Sequence, residues 1–251
     1  MANDFSNDIH CKALWSFEVG DRYADSIGGN TLTGINTPLV STTYHKELDW
    51  SAFLSVADQD GFYIDDGDLD AGFPLKSGDT NKVFSMCFWI YIYANPGANP
   101  FYVFAKYDTT APGRRSFVID ILGGFLLNVI IGYNDGANYI DLCTTDALTE
   151  DQWYHVGFVY NDNTGTYLLR VWDDVAEEIV ENISGTSPQN INIEDAPLYI
   201  GQRMDSARFS SIYLDELTIF DDELYNEEID AIRKQVYTQP IKGEWVRDLY
   251  A

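Results

Sequence analysis

Carboxylates in short runs are the groups in this chain with the clearest chemical potential. Asp65-Asp66-Gly67-Asp68-Leu69-Asp70 invites reading as a cation-binding loop. It fails the helix-flanked calcium-loop pattern: counting from Asp66, the sixth position is Ala71 where glycine makes the turn, and the twelfth is Ser77 where a bidentate Glu closes the ligand set. It reads as a solvated loop, with a second cation site as the alternative. Two further groups, Glu177-Glu178 with Glu181 and Asp215-Glu216 with Asp221-Asp222-Glu223, hold enough acid for paired-carboxylate chemistry. Glycoside hydrolysis with retention needs two carboxyls about 5–5.5 Å apart. Adjacent strand residues point to opposite faces, so neither group is expected to converge. His10, His45 and His155 lack zinc spacing, and neither a Gly-x-Ser-x-Gly elbow nor a phosphate loop ending in Lys-Ser/Thr occurs. His155 reads as a hydrogen-bonded core histidine, and catalysis is not expected.

Binding is a different matter. Sugars offer C–H faces that lie on aromatic rings and hydroxyls that pair with acids and amides. Trp89, Tyr91 and Tyr93 share one face of a strand, and Tyr133, Asn134, Asp135 and Tyr139 form an aromatic, amide-rich loop. Either could be a glycan platform. Aromatics at period 2 also serve as core or cross-strand pairs, and that reading stays open.

The elements that must position these groups are strands. Aromatic residues make up 15% of the chain, which suits half-buried pleated surfaces. In Val83 to Tyr93 the alternate residues Phe84, Met86, Phe88, Ile90 and Ile92 are apolar, one continuous row on one sheet face. Further strands are expected at Phe101–Lys106, Ser116–Leu122, Leu126–Tyr133, Asn138–Cys143, Trp153–Tyr160, Tyr167–Trp172, Pro197–Gly201 and Ile212–Phe220, separated by Gly, Asn, Asp and Pro. One helix is expected over Asn226 to Val236, where Ile229, Ile232 and Val236 recur and Glu227 and Glu228 favour the first turn. At 251 residues one all-β domain suffices, since such domains run to about 200–250 residues. The domain is expected over 1–236. A tail, 237–251, with Trp245, Leu249 and Tyr250 either packs back or docks on a partner.

The formal charge of −25 disfavours nucleic acid and anionic membranes, because phosphate binding draws on Lys and Arg. No run approaches the roughly 18 apolar residues of a membrane span, and the N-terminus lacks signal-peptide character. Cys11, Cys87 and Cys143 are too few and scattered for a disulfide framework or a zinc site; Cys87 reads as a small core residue.

The order of segments resembles the laminin-G-like jelly rolls of the concanavalin-A-like lectin/glucanase superfamily. Ala13-Leu14-Trp15-Ser16-Phe17-Glu18 followed by Asp25 to Gly34 is similar to that family's opening strand and Asp-x-x-Gly-Asn loop. Gln152-Trp153-Tyr154-His155-Val156 resembles its Gln-Trp-His-His-Val strand, with Tyr154 replacing the first histidine. Leu198 to Gly201, Tyr213-Leu214-Asp215-Glu216-Leu217-Thr218-Ile219-Phe220 and the segment Leu224 to Ile232 follow in family order. The resemblance implies an all-β, two-sheet antiparallel jelly-roll sandwich with one short C-terminal helix. It also implies a structural Ca2+ held by Asp25, the backbone at Gly28, Asn30 and Asp215, residue types that can give a hard cation its oxygens. The alternative is that Asp25 caps a turn and Asp215 is an outward polar residue. The Glu-x-Asp-x-x-Glu strand of the family's glucanases is missing. The expected function is therefore a non-catalytic, calcium-stabilised module binding glycans or surface glycoconjugates, extracellular or virion-associated. The alternatives are an assembly protein such as a virion decoration or tail component, joined to other subunits through the tail, and, third, a glycoside hydrolase. A fold of this kind hosts all three.

Overall fold

The computed structural model describes residues 3–108, 114–134, 138–204 and 208–237. Asp135 and positions 238–251 of the tail lie outside the described residues. Fifteen strands and one helix follow in chain order: β1 Cys11–Trp15, β2 Thr33–Ile35, β3 Leu39–Ser41, β4 Ser51–Leu54, β5 Gly61–Ile64, β6 Val83–Ile92, β7 Phe101–Tyr107, β8 Arg115–Leu122, β9 Leu126–Tyr133, β10 Asn138–Ala147, β11 Trp153–Asn161, β12 Thr166–Asp173, β13 Glu178–Thr186, β14 Leu198–Ile200, β15 Ile212–Phe220 and α1 Asn226–Arg233.

They form two antiparallel sheets, as a jelly-roll sandwich requires. The eight-stranded sheet has the order β13-β12-β11-β6-β15-β4-β3, with β1 also paired to β15; the seven-stranded sheet runs β10-β9-β8-β7-β14-β5-β2. The apolar row of β6 lies between them, as its period predicts. Phe88 meets Phe104 edge-on at 4.9 Å, and Phe84 meets Phe117 at 5.0 Å, so rings from the two sheets interlock across the core.

The two outer faces have different fates. On the eight-stranded sheet, α1 lays Ile229 and Ile232 over Cys87 and Val159, and Phe5 packs on Phe220 alongside. Gly157 makes the helix seat possible: a Cβ there would stand 2.5 Å from Ile229 Cγ2. The helix is entered through Tyr225, whose N–H donates to Glu228 Oε2 at 2.8 Å. It ends at Arg233, short of the expected Val236, which is exposed. Tyr237 folds back, donating its hydroxyl to Asp8 Oδ2 at 2.7 Å. Among the described residues, no such helix lies on the outer face of the seven-stranded sheet.

Candidate functional site

A segment between β3 and β4 completes the cover over the eight-stranded sheet. Lys46 and Glu47 donate their N–H groups to Asp215 Oδ2 at 2.7 and 3.0 Å. The Lys46 ammonium sits 4.5 Å over the Trp89 ring and pairs with Asp174. Tyr44 packs on Tyr91 and Tyr213. Trp89 is therefore 4% exposed and Tyr91 8%, inside an aromatic cluster with Trp153, and the open glycan shelf expected from Trp89, Tyr91 and Tyr93 is a cross-strand packing layer. Tyr93 stays partly exposed and donates to Leu54 O. His155 is buried against Trp89, and desolvation holds its pKa down at about 3, so it is neutral.

Under this cover lies an acidic knot. Between Asp215 and Thr218 the register of β15 against β6 slips by one residue, and Glu216 takes a left-handed φ of 47°. Such a bulge breaks the face alternation. It corrects the expectation that Asp215 and Glu216 diverge, since both are buried and the charge of Glu47 acts on both. Asp215, Glu216 and Glu47 are all buried, and Glu47 Oε2, Asp215 Oδ1 and Glu216 Oε1 have no hydrogen-bond partner. Desolvation, then mutual repulsion, pushes Glu216 up to about 9 and Asp215 well above the carboxylate range; desolvation takes Glu47 to about 7.

Asp25, Gly28 and Asn30 come together in a separate loop, with Asp70 as an unforeseen fourth member. Asp25 Oδ1 accepts from the N–H groups of Leu14 and Ile27, both at 2.9 Å. The Asn30 amide donates to Lys12 O, Asp25 Oδ2 and Asp70 Oδ2, while its carbonyl accepts the Asp70 N–H. Gly28 is hemmed in, with Asp70 Oδ2 2.7 Å from where a Cβ would stand. Both carboxylate oxygens of Asp25 and the side-chain oxygen of Asn30 thus accept hydrogen bonds within the loop and its neighbours. Among the described residues, one group of three has its potential metal-ligand atoms all within 4.8 Å, His10, Asp221 and Asp222, and Lys12 already pairs with Asp221 there at 2.9 Å.

The acidic run at 65–70 is solvated at Asp65, Asp68 and Asp70, as its composition suggests, and departs from that reading at Asp66. Asp66 is buried and takes the Lys106 ammonium at 2.6 Å, and that ammonium also donates to Glu194 O and Ala196 O.

The open face of the seven-stranded sheet holds a cavity of about 270 Å³, lined by Tyr102, Tyr107, Arg115, Val118, Ile130, Tyr139 and Arg203. One cross-strand row, Tyr63, Tyr199, Ala105, Val118, Ile130 and Asp141, runs across the sheet here. Small Ala105 lies between two tyrosines of its own strand, leaving a hollow above Val118 and Ile130. The Arg203 guanidinium lies 4.8 Å from the centre of the Tyr102 ring and donates to its hydroxyl at 2.8 Å. Arg115 lies 5.5 Å from the Tyr107 ring centre and 5.9 Å from that of Tyr139. Beside Tyr102 a polar ladder crosses three strands: Asn128 donates to Asp120 at 3.1 Å and accepts from Thr144 at 2.7 Å. Desolvation raises Asp120 to about 6.

A family profile described as the concanavalin A-like lectin/glucanases superfamily matches residues 65–230. The chain belongs to this superfamily. A search of curated proteins returns no match. Among solved structures, this superfamily member is similar to domain 4 of AbnA, a GH43 extracellular arabinanase from Geobacillus stearothermophilus, solved with arabinotriose: 17% identity, TM-score 0.60, 91% of this chain and 98% of that one. The binding domain of botulinum neurotoxin DC, solved with rat synaptotagmin II, matches at 11% identity and TM-score 0.64, over 91% of this chain and 52% of that one. The binding domain of Paraclostridial Mosquitocidal Protein 1 matches at 13% and 0.63, over 89% and 52%. The chain spans about half of those toxin domains and nearly all of the arabinanase domain. At these identities the likeness is one of fold.

Of the loop read as a second platform, Tyr139 lines the cavity. Tyr133 bridges to Ile191, and the Asn134 N–H donates to Asn190 O. Tyr102, Tyr107, Arg115 and Arg203 escaped sequence reading for one main reason. Tyr102 and Tyr107 are five apart, which strict alternation places on opposite faces. The register slip between Tyr102 and Phe104 returns both to the outer face. The signal available was Val103-Phe104, two adjacent apolar residues that both enter the core.

Proposed function

We propose that this chain is a non-catalytic glycan-binding module whose ligand sits in the cavity on the seven-stranded sheet. The observation that carries this reading is the cavity itself: three tyrosines, two arginines and an apolar floor converge on a face that, among the described residues, no helix covers. Ligand sites of this type combine an apolar, aromatic lining with few placed polar groups. Tyr139, 58% exposed, offers a ring to a sugar face, and the Asp120–Asn128–Thr144 ladder offers hydroxyl partners. The lining holds no carboxylate pair of the kind glycoside hydrolysis uses, and the Glu47–Asp215–Glu216 knot is too buried to meet a sugar chain. That an arabinanase domain of this fold was solved with an arabinose oligomer supports a saccharide ligand. A glycan array probed with the intact chain tests the reading. Hits that weaken about tenfold in Tyr139→Ala, roughly 1.4 kcal/mol, support it; hits indifferent to Tyr139, or none, refute it.

We also propose that Ca2+ is held at the acidic knot. The donor set fits: three buried carboxylates, each with an unpartnered oxygen, suit a hard cation. Asp215 and Glu216 from β15 and Glu47 from the covering segment would hold the ion, which supplies positive charge and ties that segment to the sheet. Their oxygens do not all lie within the 4.8 Å that the His10 group spans. Among the described residues no helix is long and apolar enough to cross a membrane; we place the protein outside the cell, where millimolar-range calcium sites function. An assembly role in a particle predicts instead that the intact chain self-associates in solution, and sedimentation distinguishes the two.

A further inference from the structure

We infer that the cavity binds the terminal residue of a glycan end-on, with the Tyr199 ring as the stop and the rest of the sugar chain leaving across the exposed edge strand β10. This rests on the glycan-binding reading and specifies its substrate class, chain ends as against internal stretches. The residues that face outward from β7 to β10 lie in three parallel rows. The middle row is Ala105, Val118, Ile130 and Asp141, each opposite the next across a strand pair. On one side of it stand Tyr107, Arg115 and Tyr139, the guanidinium 5.5 Å and 5.9 Å from the two ring centres. On the other side stand Tyr102, Asp120, Asn128 and Thr144, the last three joined in succession by hydrogen bonds. Two side walls therefore flank a trough with an apolar floor one residue wide.

The two ends of the trough differ. Towards β14 the middle row continues into Tyr199 and Tyr63. The Tyr199 ring packs against the cluster of Tyr102, Ala105, Tyr107 and Val118 and stacks on Tyr63, with centroids 5.8 Å apart. A large ring thus rises directly beyond the small side chain of Ala105 and ends the trough. At the other end β10 is the edge of its sheet, and Asn138, Tyr139, Ile140 and Asp141 are all exposed. A trough stopped at one end and exposed at the other admits a chain terminus, whereas an internal stretch needs a way out at both. The size agrees. Adjacent strands lie about 4.8 Å apart, so Val118 and Ile130 together span about one sugar ring. The volume of about 270 Å³ is below the roughly 300–1,000 Å³ of sites that hold larger ligands. The terminal ring lies on Val118 and Ile130 between the tyrosines, and Asp141 at the mouth accepts hydroxyl hydrogen bonds from the unit that follows.

The test uses isothermal titration of the intact chain with the linear oligosaccharide that gives the strongest array signal. It is offered unmodified, with a bulky ether cap on the unit at one end, with the same cap at the other end, and as polymers of the same repeat in two lengths. One capped form is expected to bind at least about tenfold more weakly, and the other to match the unmodified sugar. Each polymer is expected to carry one protein copy per chain, at the short and the long length alike. Tyr199→Ala takes away the stop and should raise the number of copies on the long polymer, with a thermal melt matching the parent to exclude misfolding. Copies per chain that rise with length in the parent overturn this inference and leave glycan binding standing. So do two capped forms that bind alike, whether as tightly as the unmodified sugar or not at all. A folded Tyr199→Ala chain that still gives one copy per polymer overturns it as well; if that variant melts early, the copy number of the parent decides. An empty array overturns both readings.

Discussion

Buried ionisable groups make opposite demands on stability in this molecule, and pH separates them. Glu47 and Glu216 have folded pKa values raised from 4.5 to about 7 and about 9. The folded state therefore holds their protons more tightly than the unfolded chain, so their contribution is fully present below about pH 4.5 and is lost as pH rises towards 9. His155 works the other way: its pKa falls from 6.5 to about 3, so its contribution is present above about 6.5 and lost as pH falls towards 3. In chelator the melting temperature should decline between pH 7 and 9, with a shallower decline in Glu216→Gln. Calcium should flatten the alkaline limb by stabilising the ionised carboxylates, and an identical alkaline slope with calcium and with chelator would remove the cation from the knot. Lys106 poses a simpler case. With its ammonium 1% and Asp66 5% exposed, truncation in Lys106→Ala strands a buried carboxylate and should cost about 3–5 kcal/mol in chemical denaturation. Lys106→Met, with Asp66→Leu alongside, should recover most of that loss.

Helix α1 is the element that decides which face of the sandwich is available. Its grip rests on Ile229 over Gly157, and Ile229→Ala should cost about 2–5 kcal/mol. The same change should make the Cys87 thiol react faster with a thiol reagent, because Cys87 is wholly buried in the same cluster. Unchanged Cys87 reactivity would mean that the helix is not the cover. The helix and eight of the nine longer strands were legible because their apolar periods are long. Leu126–Tyr133 and Ile212–Phe220 were placed to the residue. The short strands β2 to β5 carry three or four residues each, too few for a period to register, and β13 alternates exposed and half-buried positions, with Glu181 interrupting the row of Ile179 and Ile183. Bulges hid the rest. At Glu216 and at Val103-Phe104 one extra residue inverts the face alternation, and those are the places where the acidic knot and the tyrosine walls arise.

For the whole molecule, the same fold presents two nearly equal sheets, and sequence alone gave no reason to prefer one outer face. The row Trp89, Tyr91, Tyr93 looked the better shelf because its aromatics alternate cleanly; what packs on it, Tyr44 and Lys46, comes from a distant segment whose docking is a tertiary fact. The cavity on the other sheet draws its lining from β7, β8, β9, β10 and the chain after β14, residues 102 to 203. Hydrogen–deuterium exchange on the intact chain, with and without a glycan selected from the array, tests the assignment most directly. The account predicts added protection in β7, β8 and β10 and none in β6 or α1; protection confined to β6, α1 and residues 42–50 would contradict it.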